Sequence, residues 1–186
     1  MAAGGTDKQT FDQIFAEEVE QPLVAAGFTA TKNSSSLRLT PGLHDLRLLR
    51  MSGRLARPGT CVSAIGFRHN FLRPILSDDP SKARSLEDFP RKFTFEDFAE
   101  SQTSSRDYQP RNTGRWDCDT LNFASSSVDQ VTQLLKRQCA IMLERIVPWA
   151  LSLTPEGELY QLRERGEMAW CELRWIEDYE SFLARA

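Results

Sequence analysis

The sequence predicts an α+β protein: an N-terminal amphipathic helix, an antiparallel meander of about four to five strands, and C-terminal helices packed on one face. Three observations predict it. Apolar residues recur at helical spacing before Gly27 and again after Ser127. Between Ser36 and Leu72 they alternate instead. Short turn-forming clusters, Pro41-Gly42 and Arg57-Pro58-Gly59, separate the alternating runs. All 186 residues are read as one domain, with residues 6–153 as an α+β core and residues 154–186 as a helical extension.

The first helix follows from Phe11, Ile14, Phe15, Val19 and Leu23, which three- and four-residue steps place on one face. Asp7, Asp12, Glu17, Glu18 and Glu20 make the opposite face acidic. Thr6 with Gln9 and Thr10 with Gln13 form two capping-box patterns. Pro22 lacks an amide donor and is expected to kink the last turn. Gly27 is a natural stop, with Phe28 folding back onto the helix.

The period then changes. Leu37–Leu39, Leu46–Leu48 and Cys61–Leu72 read as strands joined by short turns, which favours an antiparallel meander. In the longest strand Ser63, Ile65, Phe67, His69 and Phe71 share one face, and Val62, Ala64, Arg68 and Asn70 share the other. Leu48-Leu49 breaks the alternation, so the second strand is either bulged or covered on both faces. Phe93, Phe95 and Phe98 mark a short core-touching element between polar stretches, and Arg115–Phe123 reads as a further strand.

Ser127 with Gln130 opens a long helix with Val128, Val131, Leu135, Cys139, Met142 and Ile146 on one face, its end disturbed by Pro148. Thr154-Pro155-Glu156 starts another helix, closed by Gly166. The last helix, Met168–Leu183, carries two apolar stripes: Met168, Cys171, Trp175, Tyr179, Phe182 and Trp170, Leu173, Ile176, Leu183.

An N-terminal amphipathic helix ending in Pro22-Leu23-Val24-Ala25-Ala26-Gly27-Phe28, then a polar hairpin and a strand such as Val62–Phe71, resembles a family of small uncharacterised bacterial domains of unknown function. The resemblance spans residues 10–150. It implies an accessory or immunity-type protein, and it carries no catalytic set.

Charge is strongly segregated. Residues 30–75 hold eight basic residues (Lys32, Arg38, Arg47, Arg50, Arg54, Arg57, Arg68, Arg73) against a single acid, Asp45, within a chain whose net charge is −3. Two arrangements follow from this. Either acidic helices lie over the meander and the arginines pair internally, or Arg38, Arg47, Arg50 and Arg68 form an open plateau for carboxylates or phosphates. A second recognition candidate is the polar stretch 99–114 with Arg106, Tyr108 and Arg111, residue types favoured at binding hot spots.

Catalytic patterns are weak. Asp117-x-Asp119 is a two-carboxylate pattern that a divalent metal could use, but no third ligand is nominated, and an exposed strand face with two acids is the favoured reading. His69 lies among Phe67 and Phe71 and reads as a hydrogen-bonded core histidine. Cys61, Cys118, Cys139 and Cys171 lack the paired spacing of a zinc site and read as buried thiols. No phosphate-binding loop, cofactor motif, secretory leader or membrane-length apolar run is present, so the expectation is a cytoplasmic protein without cofactor.

The leading functional expectation is a non-enzymatic protein-binding module, of the immunity or accessory kind, that binds and occludes another protein, a toxin or another acidic partner. The alternatives are a nucleic-acid or phosphoryl-ligand binder using a basic sheet face, and a metal-dependent hydrolase using Asp117 and Asp119. A homodimer through the Trp-rich last helix is compatible with each.

Overall fold

A computed structural model describes residues 5–31, 36–51, 58–95, 120–164 and 170–186. The side chains of residues 51, 86, 120, 170 and 171 fall outside the description. The order is α1 (Lys8–Phe15), a wide turn (Ala16–Glu20), α2 (Gln21–Ala25), then strands β1 (Thr29–Ala30), β2 (Ser36–Leu39), β3 (His44–Met51), β4 (Thr60–His69), β5 (Arg91–Thr94) and β6 (Thr120–Asn122). Helices α3 (Val128–Ile141), α4 (Val147–Ser152), α5 (Pro155–Glu164) and α6 (Trp170–Leu183) follow, with a second wide turn, Met142–Ile146, between α3 and α4. The fold is α+β, as the sequence predicts. No helix among the described residues is long and apolar enough to cross a membrane.

The sheet is antiparallel in the order β1-β2-β3-β4-β5, with β6 also pairing with β4. The long strand β4 pairs along one side with β3, from His44↔His69 to Met51↔Val62. Its other side is shared end to end. Ala64–Phe67 pair with β5, and Thr60–Val62 pair with β6. Thr94 and Thr120, which flank residues 95–119, therefore meet β4 at Ala64 and Val62. The register through Leu48-Leu49 is continuous, so β3 has no bulge. It is covered on both faces, with Leu46 and Leu48 buried on one and Asp45 and Arg47 on the other.

The helices lie on the face of Leu37, Leu46, Leu48, Ile65, Phe67 and Phe93. Phe11, Phe15, Val19 and Leu23 from α1–α2 and Val131, Leu135, Met142 and Ile146 from the later helices close over these residues as one core. Each fully buried residue of this kind contributes roughly 1.5–3 kcal/mol, so this layer dominates stability. The N-termini of α1 and α3 are tied together, since Thr6 donates through both its amide and its hydroxyl to the Ser126 carbonyl. Phe11 stacks on Phe123 with ring centroids 4.4 Å apart. Farther along, Lys136 faces Glu18 at 3.6 Å, so the two helices run side by side.

The helix ends show where local signals compete. The α1 cap is Asp7, whose carboxylate accepts from the Thr10 amide at 2.9 Å. Neither Thr-Gln capping box forms, because Thr6 is engaged by Ser126 and Thr10 bonds back to Asp7. The Ser127–Gln130 box forms in full. Gly27 ends α2 at φ 99°, a conformation that favours glycine, and Phe28 turns back into the core.

Pro22 and Pro148 both lie just after a local change in helical geometry. Helical backbone continues beyond each of them, to Ala25 in α2 and to Ser152 in α4. Each is preceded by a π turn closed by a bond from i+5 to i, Gln21 to Ala16 and Val147 to Met142. A proline ring clashes with the carbonyl four residues back and offers that carbonyl no donor. Widening the preceding turn is a recognised way to absorb such a residue without breaking the helix.

The C-terminal hairpin forms a second core. Leu72, Leu159, Leu162, Trp175 and Tyr179 are its buried members. Thr154 caps α5 by accepting from the Gly157 amide at 3.2 Å. The exposed Arg163–Glu180 pair between α5 and α6 contributes only ~0–1 kcal/mol, so apolar burial holds the hairpin. Of the two predicted stripes on α6, Trp175 and Tyr179 are buried, whereas Leu173 is 50% exposed. Gly166 and Met168 lie outside the described residues.

One ion pair joins this hairpin to the sheet. Arg91 of β5 donates through Nε and Nη2 to Glu158 of α5, both at 2.6 Å, and both side chains are buried. Replacing Arg91 by Met leaves Glu158 buried without this partner, a defect of about 3–5 kcal/mol. The urea midpoint of Arg91→Met is expected to fall accordingly, and Arg91→Met/Glu158→Met is expected to recover most of the loss.

Candidate functional site

Strand alternation and register together build an arginine cluster on the sheet face opposite the helices. Arg38 lies directly across from Arg47, and Asp45 directly across from Arg68. Asp45 and Arg47 are two residues apart on β3, so they share that face. All three guanidinium groups converge on the Asp45 carboxylate. Arg38 donates from Nε at 2.8 Å and Nη2 at 3.0 Å, Arg47 from Nε at 3.2 Å and Nη2 at 3.3 Å, and Arg68 from Nε at 3.0 Å.

Five N–H groups therefore meet a carboxylate with about four lone-pair sites. Burial pushes the Asp45 carboxyl up, but the hydrogen bond from Arg38 and the charge of Arg47 outweigh it and hold the group below its ordinary value. Burial lowers the Arg68 guanidinium, and Asp45 offsets this only in part.

The three arginines differ in what else they do. Arg68 is fully buried; it also donates to the carbonyls of Leu72, Asn70 and Pro80. Arg47 is nearly buried and lies over the Phe89 ring, 5.0 Å from its centroid. Arg38 keeps 35% of its side chain exposed. Among the described residues, Asp45 is the sole hydrogen-bond partner of the Arg38 and Arg47 guanidinium groups. Each of these groups uses its side-on edge, Nε with Nη2, and keeps three further N–H groups. The cluster is thus a cationic patch of formal charge +2 that opens at Arg38.

The four arginines named from sequence do not form one plateau. Arg50 projects from the opposite face of β3. It is ion-paired with Asp12 of α1, and its Cζ lies 4.9 Å and 4.8 Å from the ring centroids of Phe11 and Phe15. The reason is parity: positions 47 and 50 fall on opposite faces of a regular strand. Arg73 is also engaged, with Asp178 and Glu177 of α6. Arg106, Tyr108, Arg111, Asp117 and Asp119 lie outside the described residues. Sequence reasoning missed Asp45 as the organising group and Phe89 as the floor. The signal for Asp45 was present, since it is the single acid in the basic segment.

A second polar group sits at the opposite face. His69 is fully buried. Its Nδ1 is 2.9 Å from the Tyr179 hydroxyl, and its Nε2 is 3.3 Å from the Leu153 carbonyl. His44 Nε2 faces the same carbonyl at 3.1 Å, and the two imidazole centroids are 5.4 Å apart. His69 is thus a hydrogen-bonded core residue that ties β4 to α6. Burial, reinforced by the charge of His44, lowers its pKa to about 4.

Cys61 and Cys139 are buried free thiols, both pushed up by burial. No group of three His, Cys, Asp or Glu residues suited to a metal ion occurs among the described residues.

No family model, curated protein or solved structure matches this chain.

The His69 environment sets an acid sensitivity. Its pKa falls from an ordinary 6.5 to about 4 on folding, so the unfolded chain takes up the proton more readily. Stability is expected to decline as pH drops through 6.5 and to level off, for this group, below about 4, with a slope of at most ~1.4 kcal/mol per pH unit. Loss of the depressed carboxyls Asp45 and Asp12 follows at lower pH, below their ordinary 3.8. Urea unfolding measured at steps between these limits checks the window, and His69→Gln is expected to flatten it.

Proposed function

We propose that this chain is a non-enzymatic, cytosolic protein-binding module of the immunity or accessory kind, which holds and occludes an acidic partner at the arginine cluster. The observation that carries this reading is the charge imbalance around Asp45. Three guanidinium groups share one carboxylate, two of them keep donors that no described residue uses, and the cluster opens to solvent at Arg38. A buried or half-buried cation is stabilised by an added counter-charge, and a patch of this sign speeds encounter with an acidic surface.

The other described titratable groups singled out from sequence support a binding role over a catalytic one. His69 ties a helix to the sheet, and both described thiols are buried with raised pKa values. The stretch bearing Arg106, Tyr108 and Arg111 is proposed as a second contact, since its flanking residues are anchored side by side on β4. Nucleic-acid binding has less support. A duplex binder makes several phosphate contacts, whereas Arg47, Arg50 and Arg68 are largely buried and Arg38 is the open member. Self-association through α6 also has less to draw on, because Trp175 and Tyr179 are buried within the protomer.

Charge reversal at Arg38 tests the reading. Tagged wild-type protein expressed in its native host is expected to retain a specific acidic protein, and Arg38→Glu is expected to lose it while its far-ultraviolet circular dichroism is unchanged. Recovery of the same partner by both forms, or of nothing above background by the wild type, removes the reading.

A further inference from the structure

We infer that the open edge of the arginine cluster is a site for a phosphoryl group, a tetrahedral oxyanion carried as inorganic phosphate or as a phosphomonoester. The inference deepens the proposed function and rests on its reading of Arg38 as the contact point.

Charge and donor count both favour phosphate over carboxylate. With Arg38, Arg47 and Arg68 against Asp45, the cluster holds a formal charge of +2. A phosphomonoester carries about −1.5 to −2 near neutral pH and closes that gap. A carboxylate brings −1 and leaves half of it. Arg38 and Arg47 each keep three N–H groups after binding Asp45 side-on. Three strongly accepting phosphoryl oxygens match that supply better than the two oxygens of a carboxylate.

The site is also built to hold its donors in place. Asp45 fixes both guanidinium groups through paired bonds, Phe89 supports Arg47 from below, and Arg38 and Arg47 sit opposite each other in a regular strand register. Arginine forks fixed before binding lose little freedom on meeting a planar or tetrahedral oxyanion. Arg68 takes no part in direct contact. It is buried, bonded to three carbonyls, and adds only its charge.

The test is calorimetric titration of the full chain with inorganic phosphate, phenyl phosphate and acetate at low ionic strength, where screening is weak. Saturable binding of phosphate or phenyl phosphate at one site is expected, with acetate at least about tenfold weaker, and with Arg38→Gln lowering phosphate affinity by about tenfold or more. Arg38→Lys is expected to fall between them, because it keeps the charge and loses the fork.

Tighter binding of phenyl phosphate than of inorganic phosphate assigns the group to a phosphorylated partner or metabolite, and the reverse order assigns it to free phosphate. Acetate binding as tightly as phosphate overturns the inference while leaving a carboxylate-bearing partner in place. Anion binding that Arg38→Gln leaves unchanged overturns both the inference and the role given to Arg38. Arg38 is partly exposed, so the variant is expected to fold. Thermal stabilisation of the wild type that saturates with phosphate concentration, rather than rising steadily as a non-specific salt effect does, gives a readout independent of any variant.

Discussion

The Asp45 carboxylate is the group around which the outer face of the sheet is organised. It takes hydrogen bonds from β2 through Arg38, from its own strand through Arg47 and from β4 through Arg68. Three adjacent strands are thereby tied at one point, and Arg68 extends the tie to the carbonyls of Leu72 and Pro80 beyond the end of β4. Removing this one charge leaves three guanidinium groups close together, two of them buried. That is the costliest kind of single-residue defect, because the remaining charges have no compensation.

The segregation of charge along the chain takes on a structural meaning from this. The basic segment is matched in two ways. On the outer face it is held by its own single acid. On the helical face and at the end of β4 it is held by acids from elsewhere: Asp12 of α1 on Arg50, and Asp178 and Glu177 of α6 on Arg73. The acidic helices thus dock onto a basic sheet at defined points. Apolar burial supplies most of the free energy, while ion pairs select which helix face meets which strand. Among the described residues, three arginines on the outer face share the single carboxylate of Asp45, and the donors that Arg38 and Arg47 do not spend on it lie there.

Much of this was legible in the sequence because it rests on short-range periodicity. The buried face of α1, the two faces of β4 and the Ser127 capping box depend on residues within a few positions of one another. Features that depend on register or on tertiary competition were not. Thr6 and Asp7 both carry good cap chemistry, and a bond from Thr6 to Ser126, 120 residues away, decides between them. The π turns before Pro22 and Pro148 leave no mark on apolar spacing. The arginine cluster required the pairing of positions 38 with 47, across the turn at Pro41-Gly42, and of 45 with 68, between β3 and β4, and no local pattern shows either register. The parity of positions 47 and 50 was available, and it alone separates Arg50 from the outer face.

The central claim is that Asp45 is indispensable to the fold whereas Arg38 is in excess of what the fold needs. Urea unfolding of Asp45→Asn and Arg38→Gln, measured side by side at neutral pH, tests it most directly. A loss of at least about 3 kcal/mol is expected for Asp45→Asn and a change within about 1 kcal/mol for Arg38→Gln, since Arg47 and Arg68 still donate to the carboxylate. Equal losses for the two variants would contradict it, because Arg38 would then be a structural partner with nothing in reserve for a ligand.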